Sequence, residues 1–191
     1  MKKHFAVSGG VGLIAALAFG LFSARSIPVV RAQAKAHVEV KEVAARAEDV
    51  STPEAVVLAD YASISGGVGV ARQWGRDSSL MDPHVRFVSI SVDKTGKVKT
   101  HSVSQQEYID ESNDFMVKQG FSEHELGHQV HRFGNVATVL SAYEGKTAAG
   151  KPERGVNIYQ LYNDGKRWWV LSIVWDEERE GNPIPAELLG K

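Results

Sequence analysis

HELGHQVHRF, residues 124–133, is the stretch that decides the fold of this chain. Its first five letters spell H-E-x-x-H, the pattern of a zinc metalloprotease helix, in which two histidines bind one Zn²⁺ and the glutamate polarises the bound water. On a β-strand, four residues span about 13 Å, so His124 and His128 could not share one ion. The secondary structure of this stretch therefore separates a zinc hydrolase from every other class of protein.

The residues on both sides of the motif favour a strand. Gly120 ends a predicted helix immediately upstream, and Gly127 would cost about 1 kcal/mol inside a helix. β-forming residues follow, and the Gly-Asn pair at 134–135 suits a bulge or bend inside a strand over 129–144. We therefore predict that the motif opens a long strand.

That prediction weakens the metal hypothesis. A regular strand would place His124 and His128 on one face and Glu125 on the other. A zinc metallohydrolase acting through His124-Glu125-x-x-His128 is kept only as a third hypothesis. We predict no metal site and no cofactor.

The first 34 residues have the parts of a secretory signal peptide. Lys2 and Lys3 precede an uncharged apolar run over 5–22, and the small-residue site Ala32-Gln33-Ala34 follows. We predict cleavage after Ala34 and export to the periplasm or the medium. An uncleaved anchor is the alternative, because the apolar run approaches the length that spans a membrane.

Charge and composition exclude several classes of partner. Of the 22 basic residues, four lie in the signal segment, so 18 remain against 23 acidic ones, a net charge of −5. Nucleic acid is not expected as a partner of such a chain, and the absence of a basic amphipathic helix argues against membrane binding after cleavage. The chain has no cysteine, which excludes disulfides and thiol chemistry.

The remaining chain divides into helices followed by strands. Residues 35–52 read as a linker or weak helix, and Thr52-Pro53 marks a helix start. A short helix over 71–80, ended by the Met-Asp-Pro at 81–83, leads to strands over 85–92 and 98–103. Ser104 and Glu107 form a capping box for a helix that Gly120 stops. Two more strands, 155–162 and 167–176, flank an Asp-Gly hairpin turn.

Together these elements indicate one α+β domain over 53–188, with N-terminal helices packed on a strongly curved, mostly antiparallel sheet. Several stretches of it resemble the nuclear transport factor 2-like superfamily (cystatin-like cone fold), in particular its SnoaL-like members of unassigned activity. The stretches that carry the resemblance are RFGNVA (132–137), SAYE (141–144), RGVNIYQL (154–161), DGKRWWVLSIVWD (164–176) and NPIP (182–185).

The resemblance implies a cone whose concave sheet face and helices enclose a mainly apolar pocket. Alternation along the last strand predicts that Trp169, Leu171, Ile173 and Trp175 share the concave face, opposite Trp168. Polar groups among aromatic ones suit a small apolar ligand with one or two hydrogen-bonding groups. The predicted ligand-pocket residues are Ser141, Tyr143, Asn157, Tyr159, Trp169 and Trp175.

Two functions from different classes follow from this fold. We favour an exported ligand-binding or interaction module, with a homodimer through the sheet. The alternative is a ketosteroid isomerase-like or polyketide cyclase-like acid/base enzyme, which needs a carboxylate or histidine base in a dry pocket and a facing hydroxyl or protonated acid. A strongly raised carboxylate pKa beside such a hydroxyl would favour the enzyme. Candidate acids, bases and hydroxyls are Asp60, Tyr61, His101, Tyr108, Asp110, Glu125 and His128.

Overall fold

The structure, a computed structural model, describes residues 36–190. The predicted signal peptide and its cleavage site at Ala34 lie outside this range. Within it, α1 is Pro53–Ile64, α2 is Trp74–Ser78 and α3 is Gln105–Gln119. The strands are β1 Met81–Val92, β2 Val98–Val103, β3 Phe121–Phe133, β4 Val136–Thr147, β5 Glu153–Asn163 and β6 Trp168–Glu177. No helix of the described part is long and apolar enough to cross a membrane.

The six strands form one sheet in the order β2-β1-β6-β5-β4-β3, in which β1 and β6 run parallel and the other neighbours antiparallel. The main core lies between this sheet and α1, where Val56 and Val57 are fully buried with Val139 and Tyr159. The predicted α+β architecture, helices packed on a mostly antiparallel sheet, is confirmed.

The predicted helix signals act as expected. The Thr52 hydroxyl accepts a hydrogen bond from the backbone N–H of Ala55 at the start of α1. Ser104 and Glu107 form both hydrogen bonds of the capping box at the start of α3. Gly120 ends α3 with φ near 65°, a conformation that glycine adopts without strain.

The H-E-x-x-H stretch lies on β3, as predicted, but the strand is not regular. Glu125 pairs with Tyr143 and Gly127 with Ala142, so Leu126 is an extra residue, a β-bulge. Because the bulge shifts the alternation by one, Glu125 and His128 face the same side. The prediction that Glu125 faces away from His128 is therefore wrong.

Three other boundaries differ from the predictions. The stretch 129–144 is not one strand, because Gly134 and Asn135 form a two-residue turn between β3 and β4, with Gly134 at φ 56°. Residues 81–83 do not end a helix; they begin β1, and α2 already ends at Ser78. Residues 36–52 contain only the short 3₁₀ helix Glu48–Val50 as regular structure, and Val38 and Val40 pack on a second apolar cluster under α3.

A second bulge lies in β6. Gln160 pairs with Ser172 and Leu161 with Val170, which leaves Leu171 without a partner. Val170 is 0% exposed and Leu171 is 40% exposed. The residues of β6 that face the core are therefore Trp168, Val170, Ile173 and Trp175. The predicted concave set was half wrong, because strict alternation does not continue through a bulge.

The opposite face of the sheet is partly covered by the C-terminal segment. Ile184 and Leu188 pack against Ala142 of β4 and Leu126 of β3. The N–H of Gly190 donates a hydrogen bond of 2.9 Å to the carbonyl of Leu126. A Cβ on Gly127 would collide with the Leu188 carbonyl oxygen, so glycine is required there for the segment to approach.

Candidate functional site

A cavity of about 170 Å³ opens between α1, α3 and the concave face of the sheet. Its walls combine aromatic and aliphatic side chains with carboxylates. The aromatic and aliphatic residues are Ile64, Phe87, Tyr108, Phe121, Tyr143, Tyr159, Ile173 and Trp175; the carboxylates are Asp60, Glu123, Glu153 and Glu177; Gly145 and Asn157 complete the lining. The expected apolar pocket therefore carries four acidic groups, of which only Asp60 was among the candidates from the sequence.

Glu123 is the acidic group in the most unusual surroundings. It lies near the start of β3, two residues before Glu125 and on the same concave face. Burial raises the pKa of its carboxyl group to about 8, and the negative charge of Asp60 adds to the shift. Asn157 opposes the shift by donating a hydrogen bond of 2.8 Å to Glu123 Oε1. Glu123 therefore exchanges a proton close to neutral pH.

Asp60 belongs to a buried acidic pair behind the cavity. Tyr159 donates a hydrogen bond of 2.6 Å to Asp60 Oδ2, and the buried Asp77 accepts a hydrogen bond of 2.7 Å from Gln105. Burial raises the pKa of both carboxyl groups, and the charge of Asp60 raises the pKa of Asp77 further. The charge of one carboxylate opposes ionisation of the other, so simultaneous ionisation of the buried pair is disfavoured.

Tyr143 presents a hydroxyl group to the cavity without a partner. The residue is 7% exposed, and its hydroxyl makes no hydrogen bond with another residue of the described range. Burial is the main cause that raises its pKa, and the charges of Glu123, Glu177 and Glu153 raise it further. The hydroxyl is therefore a neutral group, free to donate to or accept from a ligand.

A chain of hydrogen bonds runs from Glu123 toward the surface. Asn157 bonds Tyr61 as well as Glu123, and the Tyr61 hydroxyl lies 2.8 Å from the hydroxyl of Ser141. Ser141 donates to Glu125 Oε1 at 2.7 Å. Glu125 Oε2 in turn lies 2.9 Å from Nδ1 of His128, which is half-exposed. This network fixes the orientation of the groups behind Glu123.

The structure brings together four of the six predicted pocket residues. Tyr143, Asn157, Tyr159 and Trp175 line the cavity. Ser141 is fully buried one layer behind them, bonded to Tyr61 and Glu125 rather than to the cavity.

Trp169 lies elsewhere. Its Nε1 donates to Asp164 at the β5–β6 turn, and the guanidinium of Arg167 stacks on its ring at 3.6 Å from the centroid. The bulge at Leu171 places it on the other side of the strand from Trp175.

The other candidate residues are divided between the cavity and the surface. Asp60 and Tyr108 line the cavity. Asp110 instead accepts hydrogen bonds from His37 and the backbone N–H of Val38, outside the cavity. His101 forms an exposed pair with Glu111 at 2.8 Å.

Glu123 was missed by the sequence analysis. A signal for it existed, because Gly120 ends α3 and β3 begins at Phe121. Alternation from that point puts Phe121, Glu123 and Glu125 on one face. In the described residues, no group of three or more His, Cys, Asp or Glu side chains could hold a metal ion.

Comparison with known proteins gives similarity in fold. Neither a family model nor a curated protein sequence matches the chain. Among solved structures, an NTF2-like protein of unknown function from Methylobacillus flagellatus KT is similar over 65% of this chain and 87% of its own, with 13% identity and a TM-score of 0.45. An NTF2-like protein of unknown function from Shewanella baltica OS155 covers 55% and 77%, with 11% identity and a TM-score of 0.37.

A type 2 hexachlorocyclohexane dehydrochlorinase is also similar, over 66% of this chain and 85% of its own, with 10% identity and a TM-score of 0.43. At these identities the similarity concerns the fold alone. The chemistry of the site has to be derived from this chain's own residues.

Proposed function

We propose that the cavity binds a small ligand and that Glu123 moves a proton to or from it, as the general base of an acid/base enzyme. The observation that carries the proposal is a cavity-lining carboxyl group whose pKa is raised to about 8, in the same cavity as the Tyr143 hydroxyl, which has no hydrogen-bond partner in the described range. A general base works best when its pKa lies near the working pH. This combination was the one expected to favour the enzyme over the binding module.

Each group has a role in such a proton transfer. Ionised Glu123 takes a proton from a carbon next to a carbonyl or similar group of the ligand, and the electron pair moves to the ligand oxygen. The hydroxyl of Tyr143 donates a hydrogen bond to that oxygen. Protonated Glu123 then returns the proton to the ligand. Asn157 keeps Oε1 of the carboxylate in place.

Hydrogen–deuterium exchange tests the proposal without knowledge of the natural ligand. Cyclohexanone in D₂O exchanges its α-hydrogens when a base removes them, and NMR follows the loss. We expect the protein to accelerate this exchange, with a rate that rises with pH through about 8 as Glu123 ionises. Glu123→Gln should lose about a hundredfold of the acceleration, and Tyr143→Phe should lose part of it.

The matched control is Glu180→Gln, because Glu180 is exposed and lies outside the cavity. This variant should exchange at the rate of the unmodified protein. Titration of Glu123 by carboxyl ¹³C NMR gives an independent answer. A Glu123 pKa at its ordinary value near 4.5 would remove the basis of the proposal.

Export and dimer formation stay predictions. Purification of the mature form, with its N-terminal residue identified by mass spectrometry, tests cleavage after Ala34. Light scattering tests the homodimer.

A further inference from the structure

The cavity is lined by acidic groups and by no basic ones in the described range, and its negative charge increases as Glu123 ionises at a pH of about 8. Asp60, Glu123, Glu153 and Glu177 contribute carboxyl groups, and among the described residues that line it there is no Lys, Arg or His. Glu153 and Glu177 are the exposed members of this group, so their carboxylates stay in contact with solvent. Such surroundings repel an anionic ligand and attract a cationic one, because the electrostatic potential is focused in a cleft with low-dielectric walls.

The aromatic part of the lining also favours a cationic ligand. Tyr108 stacks on Phe87 with 4.5 Å between ring centroids, and Trp175 meets Tyr108 edge-on at 6.3 Å. All three rings line the cavity. Aromatic faces attract cations, most strongly when water is excluded, and rings grouped around a cavity are a known way to bind quaternary ammonium groups.

A third, independent observation concerns the hydroxyl group of Tyr143. The residue is 7% exposed and lines the cavity, and its hydroxyl has no hydrogen-bond partner in the described range. A hydroxyl group that opens onto a cavity without a protein partner is available to hydrogen-bond a ligand there. Its oxygen can accept a hydrogen bond from an ammonium N–H.

The arrangement does not suit a metal cation. In the part of the chain that the structure describes, no three His, Cys, Asp or Glu side chains come close enough to hold a metal ion. The carboxylates are instead distributed around the walls, which suits a larger cation. The volume of about 170 Å³ is comparable with that of cavities that accept benzene, so the ligand has roughly six to ten non-hydrogen atoms.

We propose that the ligand of this cavity is a small organic cation, a protonated amine or quaternary ammonium compound, held between the carboxylates of Glu123 and Glu177 and the rings of Tyr108 and Trp175. The inference rests on the proposed function only in taking this cavity as the ligand site. It also fits the chemistry. A cationic ligand that loses a C–H proton next to a carbonyl to Glu123 has no net charge afterwards, whereas a neutral ketone such as cyclohexanone becomes an enolate anion among carboxylates and should exchange more slowly.

Binding of two molecules of equal size tests the inference. Tetramethylammonium and tert-butanol each have five non-hydrogen atoms, but only the first is charged. We expect tetramethylammonium to bind at least about tenfold more tightly at pH 9, measured by NMR titration at low ionic strength. At pH 6, where Glu123 is protonated, the preference should decrease.

Two variants at exposed glutamates test whether the cation binds beside Glu177. Glu177→Gln should weaken the binding of tetramethylammonium several-fold and leave that of tert-butanol unchanged, whereas Glu180→Gln should change neither. Equal or tighter binding of tert-butanol, or no measurable binding of tetramethylammonium at millimolar concentration, overturns the inference. The inference is also overturned if Glu177→Gln leaves the preference for tetramethylammonium over tert-butanol unchanged.

The two proposals fail in different ways. If the cation does not bind but Glu123-dependent exchange of cyclohexanone persists, the acid/base function stands and the cationic substrate class falls. If the cation binds and no Glu123-dependent exchange occurs, the cavity is a cation-binding site without this catalysis.

Discussion

The side-chain amide of Asn157 donates a hydrogen bond of 2.8 Å to Oε1 of Glu123, reaching from β5 across β4 to β3. The bond stabilises the ionised carboxylate, while burial destabilises it by more, and the balance leaves the pKa of Glu123 at about 8. A residue 34 positions away in sequence thus influences the pKa of Glu123.

Removing the amide should raise the pKa of Glu123 further. In Asn157→Ala the carboxylate loses its hydrogen bond while its burial remains, so the neutral form is favoured more strongly. Carboxyl ¹³C NMR titration measures the change. Gln160→Ala is the control, because Gln160 lies on the same strand but is exposed. An unchanged or lower pKa in Asn157→Ala would mean that the amide does not stabilise the carboxylate.

The raised pKa of Glu123 predicts how stability depends on pH. Between about 4.5 and 8, the unfolded chain releases the Glu123 proton while the folded protein retains it. The folded state then binds more protons than the unfolded state, so the free energy of unfolding falls as pH rises through this window. Above about 8 the loss is complete.

Glu123→Gln should remove this part of the pH dependence. We expect the variant to gain stability relative to the unmodified protein as pH rises from 4.5 to 8, measured by urea unfolding at several pH values. The acidic pair Asp60 and Asp77 is present in both proteins, so the comparison reports the ionisation of Glu123 together with its interaction with Asp60. A difference between the two proteins that stays constant with pH would contradict the assignment.

The bulge in β6 predicts opposite effects for adjacent residues. Val170→Ala should lower the free energy of unfolding by about 2 kcal/mol, because it creates a cavity in the core. Leu171→Ala should change it by less than about 0.5 kcal/mol, because Leu171 is exposed and unpaired. Urea unfolding of both variants checks the register. If Leu171→Ala proved the more destabilising of the two, the bulge would be misplaced.

The close approach at Gly127 predicts a steric cost. Gly127→Ala places a methyl group against the backbone of Leu188 and Gly190, and we expect a loss of about 1–3 kcal/mol in the free energy of unfolding. Gly67→Ala is the control, since a Cβ there meets only ordinary contacts. Equal stability of the two variants would show that the C-terminal segment does not pack on β3.

Much of the fold could be predicted from local sequence. The Thr52 cap, the capping box at Ser104 and the stop at Gly120 are signals that act within one helical turn, and the structure follows them. Alternation identified the strands and placed H-E-x-x-H on one of them. Such features depend on neighbours in sequence, which is why they can be derived without the tertiary structure.

The site depended on information that local patterns do not contain. The bulges at Leu126 and Leu171 are defined by pairing with another strand, so they could not be derived from β3 or β6 alone. The bond between Tyr159 and Asp60 joins residues 99 positions apart. The raised pKa of Glu123 arises from burial by helices and strands far from it in sequence. No local sequence pattern around Glu123 predicts this shift.

The Leu126 bulge has a consequence for comparing this chain with others. A related chain without the bulge would have one residue fewer between the positions of Glu125 and Gly127. A correct alignment would therefore place a single-residue gap in the middle of a strand, where alignment methods penalise gaps most. Without that gap, Glu123 and Glu125 would be aligned with residues of the opposite face. Equivalent cavity residues in the two chains would then not be recognised as equivalent.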